Sequence, residues 1–145
     1  KCGIPMCEAV EIVGIGEAEA DITKQPAELK VLTTTTVAVK KALKQAAISI
    51  DEIGILEIHD CFSITAILSF EAIGYAEKGK GAQFILDGHP FREGKIPTNL
   101  SGGLGGFGHP TGATGVRQLV DLLHQSTGKA ANQIKMKTPY GMMVN

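Results

Sequence analysis

Short apolar runs are spaced along the chain, and each predicts a β-strand. The β-branched and apolar residues at 8–16 and 53–58 predict two strands, and residues 139–145 predict a third. Another short strand is expected at 83–86, within the excursion 76–96. This excursion is rich in glycine and charge and is expected to be exposed.

Three further segments have the apolar spacing of helices. The first opens at 33–36 and is amphipathic, whereas the last follows a glycine-rich turn and ends near Gly128. Between them, residues 63–75 are apolar all round, with Glu71 as the sole charge, so this helix must be covered on every side. The alternation of strands and helices predicts an α/β sheet with helices on both faces.

Length and composition narrow the function classes. A chain of 145 residues with 43% hydrophobic residues and a net charge of −1 is typical of one soluble globular domain. It has no basic stretch of the kind that binds nucleic acid. No apolar run reaches the ~18 residues of a membrane span. The chain opens KCGIPMCEAV, without an initiating Met or the features of a signal peptide, and we expect it to be a fragment.

The three cysteines do not form a recognisable set. Cys2 and Cys7 have a spacing that fits no zinc motif, and an odd number of thiols makes a disulfide framework improbable. We interpret these two as thiols near a loose end, without a ligand or catalytic role. Cys61 lies in a different setting.

The first candidate for chemistry is IHDCFS at 58–63, where the second strand ends. Catalytic groups in open α/β sheets gather beyond the carboxyl ends of the strands, where His59, Asp60 and Cys61 stand. A thiol at the start of a helix feels the positive end of the helix dipole, so it could exchange protons near neutral pH. The alternative is a buried, inert Cys61 beside a hydrogen-bonded His59 and a capping Asp60.

The second candidate is the glycine-rich segment 102–115. Pro110 suits the first turn of a helix, which would place His109 just outside the helix end. A dinucleotide-binding loop starting at Gly103 is disfavoured, because the acidic partner it needs is poorly matched and Asp121 falls inside a helix. A simple capping role for His109 is the remaining alternative.

The other histidines are weaker candidates. His89 is expected in a turn, and His124 is expected to face water late in a helix. A metal site built from residues 59, 89 and 109 lacks a close-spaced ligand pair, so no metal is expected.

Together, His59-Asp60-Cys61-Phe62 and GHPTGATG at 108–115 resemble the thiolase superfamily, and more narrowly the sterol-carrier-protein type of thiolase. The resemblance runs from about Ala9 to Asn145 and corresponds to the C-terminal half of such enzymes. It implies half of a thiolase fold, a mixed sheet covered by helices on both faces, within a five-layer αβαβα architecture. Residues 1–145 would then be an incomplete C-terminal thiolase domain, without the N-terminal half, the CoA-binding loop domain and the last strand.

The resemblance also implies a reaction, the thiolytic cleavage of 3-ketoacyl-CoA or the reverse Claisen condensation. His109 matches the histidine that activates the nucleophilic cysteine, and Cys61 matches the thiol that moves the α-proton of the acetyl unit. His59 replaces the asparagine that positions a water in the oxyanion hole, and Phe62 matches a residue of the pantetheine channel. CoA and acyl-CoA would be substrates, with no cofactor. No residue here matches the nucleophile, which the family keeps in its N-terminal half.

The implied partners are a CoA thioester, the remaining thiolase half and a second copy in a homodimer. The implied location is a peroxisome-like organelle or the mitochondrion. Two alternatives stay open. One is a non-catalytic thiolase-like protein that binds acyl-CoA or lipid, and the other is a β-ketoacyl synthase relative, against which Cys61 argues.

Overall fold

The computed structural model describes residues 3–5, 8–26 and 28–145, so the interpretation of Cys2 and Cys7 lies outside the described residues. Within them, the helices and strands follow in this order: α1 (Thr33–Ala46), β1 (Ile53–Ile58), α2 (Ser63–Ile73), α3 (Gly81–Leu86), α4 (Gly103–Phe107), α5 (Thr114–Thr127) and β2 (Tyr140–Val144). A single 3-10 turn, Ile50–Glu52, leads into β1. The α/β class is confirmed, as are the strands predicted at 53–58 and 139–145.

β1 and β2 form a parallel sheet. Leu56 pairs with Met142 and Ile58 with Val144, so the two strands end at the same edge. The other edge of β1 is also occupied, because Leu56 forms a parallel bridge with Thr98 in the loop before α4. β1 is therefore the central element, and all six of its residues are buried.

Helices cover both faces of this sheet. On one face, α1, α2 and α3 pack over a core made of Val39, Ile53, Leu56, Ile58, Phe70, Ile73, Phe84 and Ile96. On the other face lies α5, whose Leu122 side chain and the Ile55 side chain of β1 both approach Gly141. Successive side chains of a strand point to opposite faces, so Ile55, Glu57 and His59 share the α5 face.

The strand predicted at 8–16 is not observed. The segment has no strand partner within the described residues, and it lies along α1 instead. Its backbone is bonded by side chains of that helix, since Ile15 N–H donates to Gln45 Oε1 at 3.1 Å and Lys41 donates to the Glu17 carbonyl at 2.8 Å. The apolar and β-branched residues at 8–16 do favour a strand, but a strand forms only where another backbone is available to pair with it.

The short strand predicted at 83–86 is wrong, because these residues belong to α3. Gly81 and Phe84, three residues apart, are both buried and face α2 and the core. The Phe84 ring lies 5.1 Å from the ring of Phe70. Residues three apart lie on the same face of a helix, so the burial of Gly81 and Phe84 together favours a helix over the strand that the apolar run predicted.

α2 is apolar all round, as predicted, but the described residues cover only one side of it. Ser69, Phe70 and Ile73 are buried, whereas Ile64 is 56% exposed. No helix within the described residues is long and apolar enough to cross a membrane.

The contact between the 8–16 segment and α1 depends on glycine. A Cβ atom at Gly16 would overlap the carbonyl group of Ala38, which is helix backbone and cannot move aside cheaply. We therefore expect Gly16→Ala to lower the free energy of unfolding by about 1–3 kcal/mol, as overpacking does elsewhere. Urea denaturation measures the change. Gly105→Ala is the control, because a Cβ there meets nothing within 4 Å, and equal stability of the two variants would contradict the prediction.

Candidate active site

The carboxyl end of β1 is held from both sides. On one side, the His59 N–H donates to the Val144 carbonyl at 2.9 Å, which continues the pairing with β2. On the other side, the Asn99 side chain accepts from the Ile58 N–H at 2.8 Å and donates to the Ile58 carbonyl at 3.1 Å. The amide of Asn99 thus acts like a further strand residue and fixes where His59 leaves the sheet.

The His59 ring is oriented by Asn145, the residue that follows β2. Its Nδ1 lies 2.7 Å from Asn145 Oδ1. An amide oxygen only accepts hydrogen bonds, so the Nδ1–H of His59 donates to it. In the neutral imidazole this leaves Nε2 as an acceptor, directed away from Asn145.

His109 lies against His59. The two ring centroids are 4.7 Å apart with an interplanar angle of 89°, an edge-to-face contact. His109 Nδ1 is 2.8 Å from Thr114 Oγ1, and that hydroxyl donates to the Pro110 carbonyl at 3.2 Å. The hydroxyl proton is thereby used, so the His109 Nδ1–H donates to Thr114 and the Nε2 of a neutral His109 carries the free lone pair.

The helix after His109 begins later than predicted. Pro110 is not in the first turn of α5, because α5 starts at Thr114 and residues 110–113 form a separate turn. The Ala113 and Thr114 N–H groups both donate to the Pro110 carbonyl, at 2.7 and 3.0 Å. This extra turn leaves His109 exposed and brings Thr114, which is 3% exposed, beneath its ring.

Asp60 links the two candidate segments. Its Oδ1 accepts from the Leu104 N–H at 2.8 Å, and a side chain at Gly103 would collide with its carboxylate. Asp60 therefore caps the first turn of α4, not the helix that follows it in sequence. The glycine at 103 is needed because the carboxylate approaches the backbone closely at that point.

Cys61 and Phe62 lie on the exposed side of the site. The Cys61 thiol is exposed, and its sulfur is 3.9 Å from Thr65 Oγ1 in the first turn of α2. Phe62 is 70% exposed and directly precedes α2. The alternative of a buried Cys61 is therefore wrong, and a ligand can reach both side chains.

A buried carboxyl group stands on β1, two residues before His59. Glu57 is 2% exposed, and burial raises its pKa to about 8 from 4.5. The charges of Asp121 and Asp60 add to this rise, whereas Arg117 opposes it. Arg117 is engaged elsewhere, with Asp121 at 3.0 Å and over the Phe107 ring at 3.7 Å.

The other histidines lie apart from this cluster. His89 is in a turn, as predicted, and its ring lies 4.6 Å from the Phe84 ring at the core. His124 is partly buried near the end of α5. In the part of the chain that the structure describes, no group of three His, Cys, Asp or Glu residues could hold a metal ion.

Sequence reasoning missed several residues that orient the site: Asn99, Thr114 and Asn145. A signal for Asn145 was available, because parallel strands end at the same edge and residue 145 is the last residue of a predicted strand. Thr114 also stands one helical turn after Pro110 in the glycine-rich segment. No local pattern indicated Asn99, whose role depends on a pairing across 41 residues of sequence.

The bond between Asp60 and Leu104 predicts a stability effect. Asp60→Ala leaves the partly buried Leu104 N–H without an acceptor, and we expect the free energy of unfolding to fall by about 1–3 kcal/mol. Asp60→Asn should lose less, because the amide oxygen can still accept. Urea denaturation compares these with Asp51→Ala, at an exposed position before β1. Equal losses for all three variants would refute the capping role.

Comparisons with known proteins identify relatives of this chain. The acetyl-CoA acetyltransferase of Methanothermobacter thermautotrophicus is 40% identical over 114 residues, which is 79% of this chain and 30% of that protein. Sterol carrier protein 2 of Homo sapiens is 38% identical over 96 residues, covering 66% of this chain and 18% of that protein. The chain thus spans less than a third of either relative.

Fold and family comparisons give the same result. A solved structure titled Ltp2-ChsH2(DUF35) aldolase superposes with a TM-score of 0.74 over 84% of this chain and 32% of that chain. At 19% identity, this likeness shows the fold alone. The family model described as Thiolase C-terminal domain-like matches residues 15–141. The chain therefore belongs to the family of thiolase C-terminal domains.

Proposed function

We propose that this chain supplies the acid–base half of a thiolase active site, which cleaves 3-ketoacyl-CoA with CoA or condenses acyl-CoA in reverse. The observation that carries the proposal is the edge-to-face contact of His59 and His109, and the exposed thiol of Cys61 follows His59 by two residues. Each imidazole uses Nδ1 on a protein partner, so each can present Nε2 to a substrate.

His109 is the proposed base for a nucleophilic cysteine. Its exposed position and the Nδ1 contact with Thr114 leave Nε2 free to take the thiol proton. In the condensation direction, the thiolate attacks the thioester carbonyl to form the acyl-enzyme, and the bond from that carbonyl carbon to the CoA sulfur breaks as protonated His109 returns its proton to that sulfur. We further propose that this cysteine lies outside the 145 residues, in the rest of a longer thiolase polypeptide or in a separate chain. The greater length of the relatives supports this.

Cys61 is the proposed group that moves the α-proton of the acetyl unit. As thiolate it removes that proton, and the electron pair of the C–H bond becomes the enolate that attacks the acyl-enzyme. In the cleavage direction the Cys61 thiol returns the proton to the acetyl carbon. Its exposure and its place before the start of α2 suit this role.

His59 is proposed to hold a water that stabilises the enolate oxygen. The Nε2 of neutral His59 accepts one water proton, and the other proton of that water points to the oxyanion. Each such donor contributes roughly 3 kcal/mol in comparable sites. Phe62, exposed at the rim, is proposed to contact the pantetheine arm of CoA. CoA and acyl-CoA are substrates in this scheme, and no cofactor takes part.

The proposal extends to partners and location. The exposed apolar side of α2, with Ile64, is suited to pack against the other thiolase half, and a homodimer is expected from the resemblance. A peroxisome-like organelle or the mitochondrion is the proposed location.

A second candidate function is acyl-CoA or lipid binding without turnover. The similarity to a sterol carrier protein favours it, since that name describes carriage and not catalysis. The two functions differ in one measurable respect. Only the enzyme exchanges the α-protons of acetyl-CoA with solvent deuterium.

Cys61→Ala tests the proposed enzyme, in the complete thiolase that includes the nucleophile. We expect the acyl-transfer half-reaction to persist, whereas deuterium exchange at the acetyl group falls by about 100-fold or more, because the general base is gone. Nuclear magnetic resonance of acetyl-CoA follows the exchange. Ser126→Ala, at an exposed position on α5, is the control. Undiminished exchange in the Cys61 variant removes this thiol from the mechanism, and acyl-CoA binding without exchange in the wild type favours the carrier.

The contact between Thr114 and His109 generates a separate prediction. Thr114→Val keeps the buried volume but removes the hydroxyl that accepts from Nδ1–H, so we expect acylation to slow by up to about tenfold. Thr114→Ser should retain the rate. Rapid-quench measurement of acyl-enzyme formation checks this, with Thr127→Val, which loses a hydroxyl late in the same helix, as the matched control. Equal rates for the valine and serine variants at residue 114 would show that the hydroxyl does not orient His109.

A further inference from the structure

The backbone that carries His109 lies on an exposed loop between α4 and α5. Residues 105–113 are all exposed, and a Cβ atom at Gly108 would meet nothing within 4 Å. The Pro110 carbonyl accepts two backbone hydrogen bonds, but these close a local turn and leave the start of the loop unheld. The position of His109 therefore depends on what holds the end of α4, where Phe107 stands.

Arg117, near the start of α5, reaches back across this loop to Phe107. Its guanidinium carbon lies 3.7 Å from the centre of the Phe107 ring, which is a close cation–π contact. Phe107 is 55% exposed, so burial in the core does not fix the ring, and the guanidinium covers it instead. Because Phe107 precedes His109 by two residues, this contact acts where the loop begins.

The Arg117 guanidinium is itself held by a carboxylate on the same helix. Its Nε lies 3.1 and 3.0 Å from the two carboxylate oxygens of Asp121, one helical turn further along α5. The Asp121 side chain is 15% exposed, so water and salt screen this pair less than a pair on the open surface. Asp121 also accepts from the Ser101 hydroxyl at 2.9 Å, just before α4. Through these contacts, α5 holds α4 at both of its ends.

The double contact of Arg117 depends on the shape of a guanidinium. The group is planar, so it can donate to a carboxylate along one edge while one face lies on an aromatic ring. A lysine ammonium is a compact, strongly hydrated charge without a flat face. Lysine at this position would keep the charge beside Asp121 but would not hold Phe107 in the same way.

We propose that Arg117 is a positioning residue for His109, which acts by holding Phe107 and thereby the end of α4. The other end of the loop is held by Thr114, which contacts the His109 ring. With both ends of the loop fixed, the His109 imidazole stays in its edge-to-face contact with His59. The catalytic effect rests on the proposed function, in which His109 is a base, whereas the hold on the loop does not.

Arg117→Lys tests the catalytic effect in the complete thiolase. We expect acyl-enzyme formation, followed by rapid quench, to slow by about tenfold or more, because a displaced base transfers protons poorly. Deuterium exchange into acetyl-CoA, assigned to Cys61, should stay within about twofold, whereas a general loss of folded protein would lower both rates. Arg92→Lys, the same change at the other arginine of the chain, is the control and should alter neither rate. Unchanged acylation in Arg117→Lys would overturn the proposal.

Variants at Phe107 test the same contact from the other side. Phe107→Tyr keeps an aromatic face and should retain the acylation rate, whereas Phe107→Leu should slow acylation as Arg117→Lys does. Combining Phe107→Leu with Arg117→Lys should add little to either single loss, because both changes remove one contact. Fully additive losses, or equal rates for the tyrosine and leucine variants, would contradict the proposal.

Hydrogen exchange followed by mass spectrometry gives a readout that needs no turnover. The Gly108 N–H is bonded to the Leu104 carbonyl at 2.8 Å, at the start of the loop. We expect peptides spanning 105–114 to exchange about tenfold faster in Arg117→Lys, with peptides spanning 53–58 unchanged. Equal exchange at 105–114 in the two proteins overturns the inference whatever the activity. A wild type that forms no acyl-enzyme refutes the proposed function instead, and the exchange comparison still decides whether Arg117 holds the loop.

Discussion

The parallel pairing of β1 with β2 is the interaction on which the candidate site depends. Because the strands run in the same direction, both end at one edge, and the bond from His59 N–H to the Val144 carbonyl is the last of the ladder. Asn145 then stands beside His59 and orients its ring. An antiparallel partner would bring the start of a strand to this edge, and His59 would lose its acceptor.

The glycine-rich segment that carries His109 is also held at the end of β1, by side-chain hydrogen bonds. Asn99 bonds both backbone groups of Ile58, and Asp60 bonds the backbone of Leu104. These contacts join the loop after β1 to the loop before α4 and to α4 itself. The glycine-rich segment therefore reaches His59 with little freedom, and His109 emerges from it already in contact with the other imidazole. The glycines allow the backbone of this segment to come close to its neighbours, whereas the hydrogen bonds of Asn99 and Asp60 fix where the segment lies.

Much of this architecture could be predicted from local sequence, and the remainder depends on long-range contacts. The runs at 53–58 and 139–145 form strands because their backbones pair with each other. Residues 8–16 carry an equally clear apolar pattern but have no strand partner within the described residues. A strand is a property of two backbones, so a single segment cannot decide it. The strand prediction at 83–86 failed for a different reason, because in the helix formed there Gly81 and Phe84 are both buried.

The same distinction applies to the site. The types of residue at 59, 61 and 109 suggested their chemistry, because thiols and imidazoles are few in this chain and stand next to predicted strand and helix ends. Their orientation could not be predicted, since it comes from Asn145, Thr114 and Asn99, which are ordinary polar residues in sequence. Hydrogen bonds across 86 and 41 residues of chain give Asn145 and Asn99 their roles.

The partners of the two histidines explain how the site can hold acidic groups nearby and still leave the imidazoles available. His59 donates to an amide oxygen and His109 to a hydroxyl, both neutral acceptors. The surrounding carboxylates are used elsewhere, Asp60 on the Leu104 N–H and Asp121 on Arg117 and Ser101. Neutral acceptors fix the tautomer that carries the proton on Nδ1, so the Nε2 lone pair of each ring stays free for the role proposed for it above.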